Sequence, residues 1–301
     1  MNALRPLAIS FSCLSIAVAA DAQELDARHF SPAPIGTTFV IGGVGESEGA
    51  IVFDPSLDIE NVHADLDIVT AGLGRVFAWG QRQARVLVVL PHAEGTIAGD
   101  VGDVPQSAEL DGFVDPRVKL TVGLRGAPAL APADFAHAPR GTVVSAGVTL
   151  VPPWGDYEPT RLVNLGYNRW ALKPEVGVLR PFGPWTVEGV FGAWLYSRND
   201  EHYPGTAHKR QDPLLSAQAH VSYTWPSRVW LALDATSFAG GDTRVDGTAN
   251  PDYQENSRIG VTLSIPFGAR HSLKLTYSEG ATTRRGNDFE SFMATWQHVQ
   301  F

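Results

Sequence analysis

Three things are scarce in this chain, and each scarcity excludes a class of protein. Cysteine occurs once, at Cys13. A chain with one cysteine has no disulfide framework, and no Cys/His spacing suited to zinc occurs. Basic charge is the minority: 23 Lys and Arg stand against 32 Asp and Glu, a formal net charge of −9. That excludes a nucleic-acid binder, which needs basic surface to displace counterions from phosphate. Beyond residue 22, no apolar run approaches the ~18 residues of a membrane-spanning helix. If this protein enters a membrane, it does so as a closed β-barrel, because lipid cannot satisfy open strand edges.

The first 22 residues read as an export signal. Arg5 follows the amino terminus, an apolar-rich run covers Pro6 to Ala20, and Ala20-Asp21-Ala22 supplies small residues for cleavage before Gln23. Cys13 lies in this leader and its flanks, Ser10-Phe11-Ser12, are not a lipid-attachment site. The exported chain then carries no cysteine, and its stability rests on a hydrogen-bonded sheet.

Abundant residues point the same way. Thirty Gly and 21 Pro suit many short elements and long loops. The stretch from Arg258 to Ser278 shows the underlying unit. Ile259, Val261, Leu263 and Ile265 alternate with Arg258, Gly260, Thr262 and Ser264. After Pro266-Phe267-Gly268-Ala269-Arg270, Leu273, Leu275 and Tyr277 alternate with Ser272, Lys274, Thr276 and Ser278. Period-two alternation puts one apolar and one polar face on each strand, and the short link makes the pair an antiparallel hairpin.

Twelve such segments cover 37–45, 62–79, 83–98, 113–125, 141–151, 163–179, 185–199, 214–225, 228–239, 257–265, 271–280 and 289–301. Most reach the ~9–11 residues that a tilted strand needs to cross a bilayer. Their connections alternate in length. Residues 80–82, 180–184, 226–227 and 266–270 are tight turns, whereas 46–61, 99–112, 152–162, 200–213, 240–256 and 281–288 are longer loops. Only the link 126–140 is long on the turn side, and Pro132-Ala133-Asp134-Phe135-Ala136 within it suits one helical turn. Short periplasmic turns, longer extracellular loops and an even strand count define an outer-membrane barrel. The predicted fold is therefore all-β: a closed antiparallel transmembrane β-barrel of about 12 strands, with a leader at 1–22, an N-terminal periplasmic segment at 23–36 and the barrel at 37–301.

The first two loops are acidic, with Glu46, Glu48, Asp54, Asp58 and Glu60, then Asp100, Asp103, Glu109 and Asp111. Aromatic residues gather where strands meet turns: Phe77, Trp79, Phe182, Trp185, Tyr223, Trp225, Trp230, Phe267 and Phe301. Such rings settle at a membrane–water boundary. The terminal Phe301 also suits recognition by the barrel-assembly machinery, and the partners expected of the outer face are outer-membrane lipid and lipopolysaccharide.

The alternation assigns charges to the interior, because an Arg or Lys facing lipid at mid-depth costs ~2–4 kcal/mol. Arg117 and Lys119, then Arg169, Lys173 and Glu175, then Glu188, His220, Asp234 and Lys274 form the expected lumen lining and solute path. The turn at 180–184 is expected to bring Glu175 and Glu188 together, with Lys173 as the nearest cation to offset their repulsion. Two readings of this interior stand side by side. It is either a salt-bridged network that closes a structural barrel, or a polar pore wall with sites for a small-molecule solute.

Candidates for catalysis are few. His220 and Ser222 share a face, with no third group evident in sequence to orient the imidazole. Glu175 and Glu188 are an acid–base pair in principle. No metal or cofactor motif appears; Gly42-Gly43-Val44-Gly45 and Gly240-Gly241 are not phosphate loops, because no helix follows. The expectation is a protein without enzymatic activity; an outer-membrane enzyme acting on lipid or lipopolysaccharide is the alternative.

Several motifs then carry a family resemblance. Asp115-Pro116-Arg117, Gly126-Ala127-Pro128-Ala129-Leu130, Asn164-Leu165-Gly166-Tyr167-Asn168-Arg169-Trp170, Lys173-Pro174-Glu175, and Gly240-Gly241-Asp242-Thr243 with Asp246-Gly247 occur in turn from about residue 113 onward. Together they resemble the outer-membrane family named for the meta-cleavage pathway of phenol degradation. That resemblance implies a channel-like barrel for inward passage of aromatic or other poorly soluble compounds. It implies no catalytic residues, and it points to Arg117, Arg169 and Glu175 as interior positions.

Overall fold

The computed structural model describes residues 16–17, 25–52, 59–102 and 104–301. The expected leader and its cleavage point, together with Asp54, Asp58 and Asp103, lie outside the described residues; within that leader only Ile16–Ala17 is described, paired in parallel with Val163–Asn164.

The wall is one antiparallel sheet closed on itself. β1 (Thr38–Val52) pairs with β2 (Ile59–Trp79) and β2 with β3 (Arg82–Val101). β3 pairs with two consecutive pieces, β4 (Val104–Phe113) and β5 (Arg117–Arg125), which are the outer and inner halves of one stave interrupted at Pro116. Then come β6 (Val143–Val151), β7 (Ala171–Phe182), β8 (Trp185–Tyr196), β9 (Leu214–Thr224), β10 (Trp230–Gly240), β11 (Gln254–Phe267), β12 (His271–Thr282) and β13 (Gly286–Gln300), each beside the next. β13 returns to β1, from Gln300 opposite Thr38 to Gly286 opposite Val52. Twelve staves thus close without an edge, which is what a hydrocarbon environment demands.

The polarity of this sheet is inside-out. Leu233, Val44, Val69, Leu73 and Phe191 are exposed on the outer face, Leu233 at 63%. The inward-facing Asp234, Lys173, Glu188, His220 and Thr262 are buried, Lys173 at 1%. A water-soluble sandwich would show the opposite pattern; here the outer face is made for acyl chains.

The staves nearest the chain ends stand taller than expected. Residues 46–52, 59–61 and 99–112, read from sequence as acidic loops, are largely ladder. Glu46 faces Asp67, Asp67 faces Glu94, and Glu94 faces Asp111 across four strands. Carboxylates in directly opposed rows are tolerable only in water, so this part of the wall rises above the bilayer. Inside it the pattern reverses: Leu66, Ala64, Ile97, Leu110 and Phe289 form an apolar cluster with Leu165 from the loop between β6 and β7.

Two further expectations are corrected and a third holds. The predicted strand 163–179 begins at Ala171, so Arg169 belongs to the loop before β7 rather than to the wall. Trp230 does not join the membrane-boundary belt; it lies on the inward face of β10 with the Arg28 guanidinium 4.7 Å over its ring. Trp79, Phe182, Trp185, Trp225, Phe267 and Phe301 do stay on the exposed face. The segment 126–140 does form a short helix, α1 (Pro132–His137), with proline in its first turn.

Candidate functional site

The lumen is crossed by the chain's own N-terminal segment. Thr37 and Gly36 exchange hydrogen bonds with Val76 at the base of β2, and Ile35 donates to the Leu130 carbonyl. Ala33 N–H then donates to Gln83 Oε1 at 2.9 Å. Further on, Phe30 packs among Ala127, Val143, Leu179 and Val190. Gly177 makes room for it, since a Cβ there would overlap the Phe30 ring. Asp26 reaches Lys274 on the far wall, Nζ to Oδ1 at 3.0 Å. Leu25 ends beside Gly260, where an added Cβ would lie 2.8 Å from Leu25 Cδ1. Residues 25–37 therefore bridge the turn-side half of the lumen from β2 and β3 to β11 and β12.

Glu188 is the main anchor of this bridge. Its Oε2 accepts Arg28 N–H at 2.6 Å and its Oε1 accepts Phe30 N–H at 3.0 Å. Arg28 has φ +63, a left-handed conformation that a non-glycine residue holds only when its surroundings enforce it. Its side chain donates to Ser222 Oγ at 2.9 Å and Thr224 Oγ1 at 2.5 Å. Arg85 donates to the His29 carbonyl.

The sequence-selected residues fall into separate groups. Glu175 pairs with Lys119 at 2.7 Å and Lys173 at 3.2 Å, and His29 Nε2 lies 3.8 Å away. Glu188 does not join them: it stands opposite Leu179, whereas Glu175 stands opposite Gly192, four residues along. The expected Glu175–Glu188 pair is thus absent: Glu175 is met by lysines, and Glu188 by main-chain N–H groups. His220 Nδ1 meets Asp234 Oδ1 at 2.7 Å, and Asp234 Oδ2 accepts from Thr262 Oγ1 at 2.6 Å. Arg117 sits half-buried opposite Val89 where the stave resumes after Pro116.

Asp234 is the orienting group for His220 that sequence reading missed, because it lies 14 residues away on the neighbouring strand. The pair still lacks a nucleophile. His220 Nε2 faces Gln218 Oε1 at 3.3 Å, while Ser222 Oγ serves Arg28 and the Thr186 carbonyl. The acyl-transfer arrangement that motivated the enzyme alternative is not assembled here.

The outer mouth is covered by folded loops. Asp115, 1% exposed, accepts Gly155 N–H at 2.7 Å and Tyr167 N–H at 2.8 Å, which pins the loop between β6 and β7 over the opening. Arg169 in that loop donates to Gln211 Oε1 at 2.5 Å and stacks 4.3 Å from the Tyr196 ring. Beside it, burial and then the Arg169 charge push the Lys209 ammonium down to about 8. Asn199–His202, Ala207–Gln211, Thr243–Val245 and Thr248–Ala249 form a small separate sheet in this lid.

Of the interior groups missed, Arg258 had a signal, its alternation with Ile259. Asp26, Arg28 and His29 had none, because residues 25–30 show no periodicity.

Solved structures share this architecture. The COG4313 outer membrane channel from Pseudomonas putida F1 is 21% identical, covers 92% of this chain and 100% of its own, and superposes with a TM-score of 0.76. The transport unit of the autotransporter AIDA-I from Escherichia coli is 11% identical, covers 93% and 94%, and gives 0.53. No curated protein matches the chain. Residues 75–297 match the sequence model of the family described as "Putative MetA-pathway of phenol degradation", and the chain belongs to that family.

Proposed function

We propose that the protein is an outer-membrane channel that admits small hydrophobic or aromatic solutes passively, with residues 25–37 acting as a stopper that shifts to let them pass. The observation that carries this reading is the way the obstruction is held. Apart from the Phe30 ring, packed among Ala127, Val143, Leu179 and Val190, residues 25–33 are joined to the wall of the lumen by polar contacts with Glu188, Lys274, Gln83, Arg85, Ser222 and Thr224. Polar contacts of this kind exchange readily with water, so the segment can leave without dismantling the barrel.

The similarity to an outer membrane channel supports transport, and the family's description supports an aromatic solute class. Arg117, Lys119, Lys173, Glu175, His220 and Asp234 then line the path, and Arg169 stands at its mouth. The same reading takes 1–22 as a leader cleaved before Gln23 and Phe301 as the signal read during assembly.

Planar-bilayer recording with and without phenol-type solutes tests it. The intact protein should show small or intermittent conductance, and a variant lacking residues 23–30 should show a larger, steadier one. A folded variant of that kind with neither conductance nor solute flux would end the transport reading.

A further inference from the structure

Arg258 is a buried cation with unmet donors. It lies on the inward face of β11, 4% exposed. Nη2 donates to the Phe289 carbonyl and lies 3.3 Å from Ser278 Oγ. This stitches the wall where the β12–β13 ladder stops at Ser278 opposite Ser291. Nε and Nη1, both buried, have no partner, and the guanidinium makes no ion pair among the described residues. Asp234 is the inward carboxylate on the neighbouring strand, diagonal to Arg258, but it is already engaged by His220 and Thr262.

A stitch to one carbonyl does not require a full charge with two further donors held out of water. The surroundings supply what a bound anion would need. Thr236 is the direct cross-strand neighbour of Arg258, with its hydroxyl turned to the Ala217 carbonyl at 3.2 Å, so the hydroxyl beside the guanidinium is that of Ser278. Buried phenylalanines share the inward face nearby: Phe238, two positions along β10 from Thr236, and Phe289, whose carbonyl takes Nη2. One positive charge, offset in part by the nearby Asp288 and Glu279 carboxylates, together with the Ser278 hydroxyl and apolar neighbours, suits no more than a monoanion with an apolar body. Among the described residues no second cation bonds to Ser278, Thr236 or the Phe289 carbonyl, as a phosphate dianion would favour.

We propose that Arg258 anchors a lumenal subsite for the carboxylate of a small amphipathic acid, whose apolar body lies toward Phe238 and Phe289. This rests on the channel reading, since the solute reaches the site through the lumen, and it narrows the solute class from aromatic compounds to their acids.

The test is binding rather than flux. Folded barrel in detergent, checked by heat-modifiable migration, is dialysed to equilibrium against labelled benzoate and, separately, against its neutral analogue benzyl alcohol. One saturable benzoate site with little benzyl alcohol binding is expected. Arg258→Gln should weaken benzoate by about tenfold or more, whereas Arg284→Gln, an exposed outer-loop cation, should leave it unchanged. Absence of saturable benzoate binding in the unaltered protein overturns the subsite whatever the variants do. So does equal binding of benzyl alcohol, or an equal loss in Arg284→Gln. A barrel that binds benzoate but conducts nothing fails as a channel only; one that conducts without binding fails in the subsite only.

Discussion

Glu188, on a wall strand, grips the main chain of Arg28, 160 residues earlier, through a 2.6 Å hydrogen bond. The same carboxylate takes Phe30 N–H at 3.0 Å, so bonds to two alternate residues hold a turn whose Arg28 lies at φ +63. Left-handed residues of this kind cost on the order of 1–3 kcal/mol and persist where the surroundings enforce them. The strained turn and the carboxylate therefore depend on each other.

Removing that carboxylate should free the segment. Glu188→Ala deletes two charge-assisted hydrogen bonds, each worth ~1.5–3 kcal/mol. The expected outcome in single-channel recording is a several-fold rise in the fraction of time spent open, with the barrel still heat-modifiable on gels. Unchanged gating would mean that residues 25–37 do not obstruct the path.

The same result should be reachable without altering any charge. Gly177→Ala places a methyl group where the Phe30 ring lies. Overpacking of this sort costs ~1–3 kcal/mol, and the wall is held by its ladder, so the segment should yield. Conductance should rise toward that of Glu188→Ala. Gly189→Ala, where the nearest atom to an added Cβ is 4.0 Å away, should behave like the unaltered protein.

The lid over the outer mouth should respond to Asp115. Asp115→Ala leaves the amides of Gly155 and Tyr167 without their buried acceptor, at about 1–3 kcal/mol each. Hydrogen exchange should then quicken across residues 152–168 while β6 and β7 stay protected. Equal acceleration of the wall strands would show that Asp115 supports the barrel and not the lid alone.

The inside-out polarity predicts a steep penalty at Leu233, which is 63% exposed in the middle of β10. Leu233→Arg should destabilise the barrel in phospholipid vesicles by ~2–4 kcal/mol, read from denaturant unfolding. A change within a few tenths of that unit would argue that this face does not meet hydrocarbon.

The strand number, the direction of the apolar face and the division into turn side and loop side were all readable from residues 37–301, because period-two alternation is local and repeats twelve times. The tall outer hairpins were not. Val104–Phe113 is exposed on both faces from Val104 to Glu109, where water lies on both sides, and a segment without clear polar–apolar alternation looks like a loop until its ladder partner is known. Trp230 was readable and misread: four residues before the inward Asp234 it shares that face by alternation, and the Arg28 guanidinium lies over its ring.

The cluster of Lys119, Lys173 and Glu175 follows from alternation plus register, and two of its members are adjacent in sequence parity. The anchoring of Arg28 and Phe30 by Glu188, the orientation of His220 by Asp234, and the unmet donors of Arg258 join residues that no local pattern connects. Local chemistry decided which face of each strand each side chain takes. Closure of the sheet decided which inward groups meet, because only the curvature and register of a complete barrel bring distant strands, and the segment that enters between them, within hydrogen-bond reach.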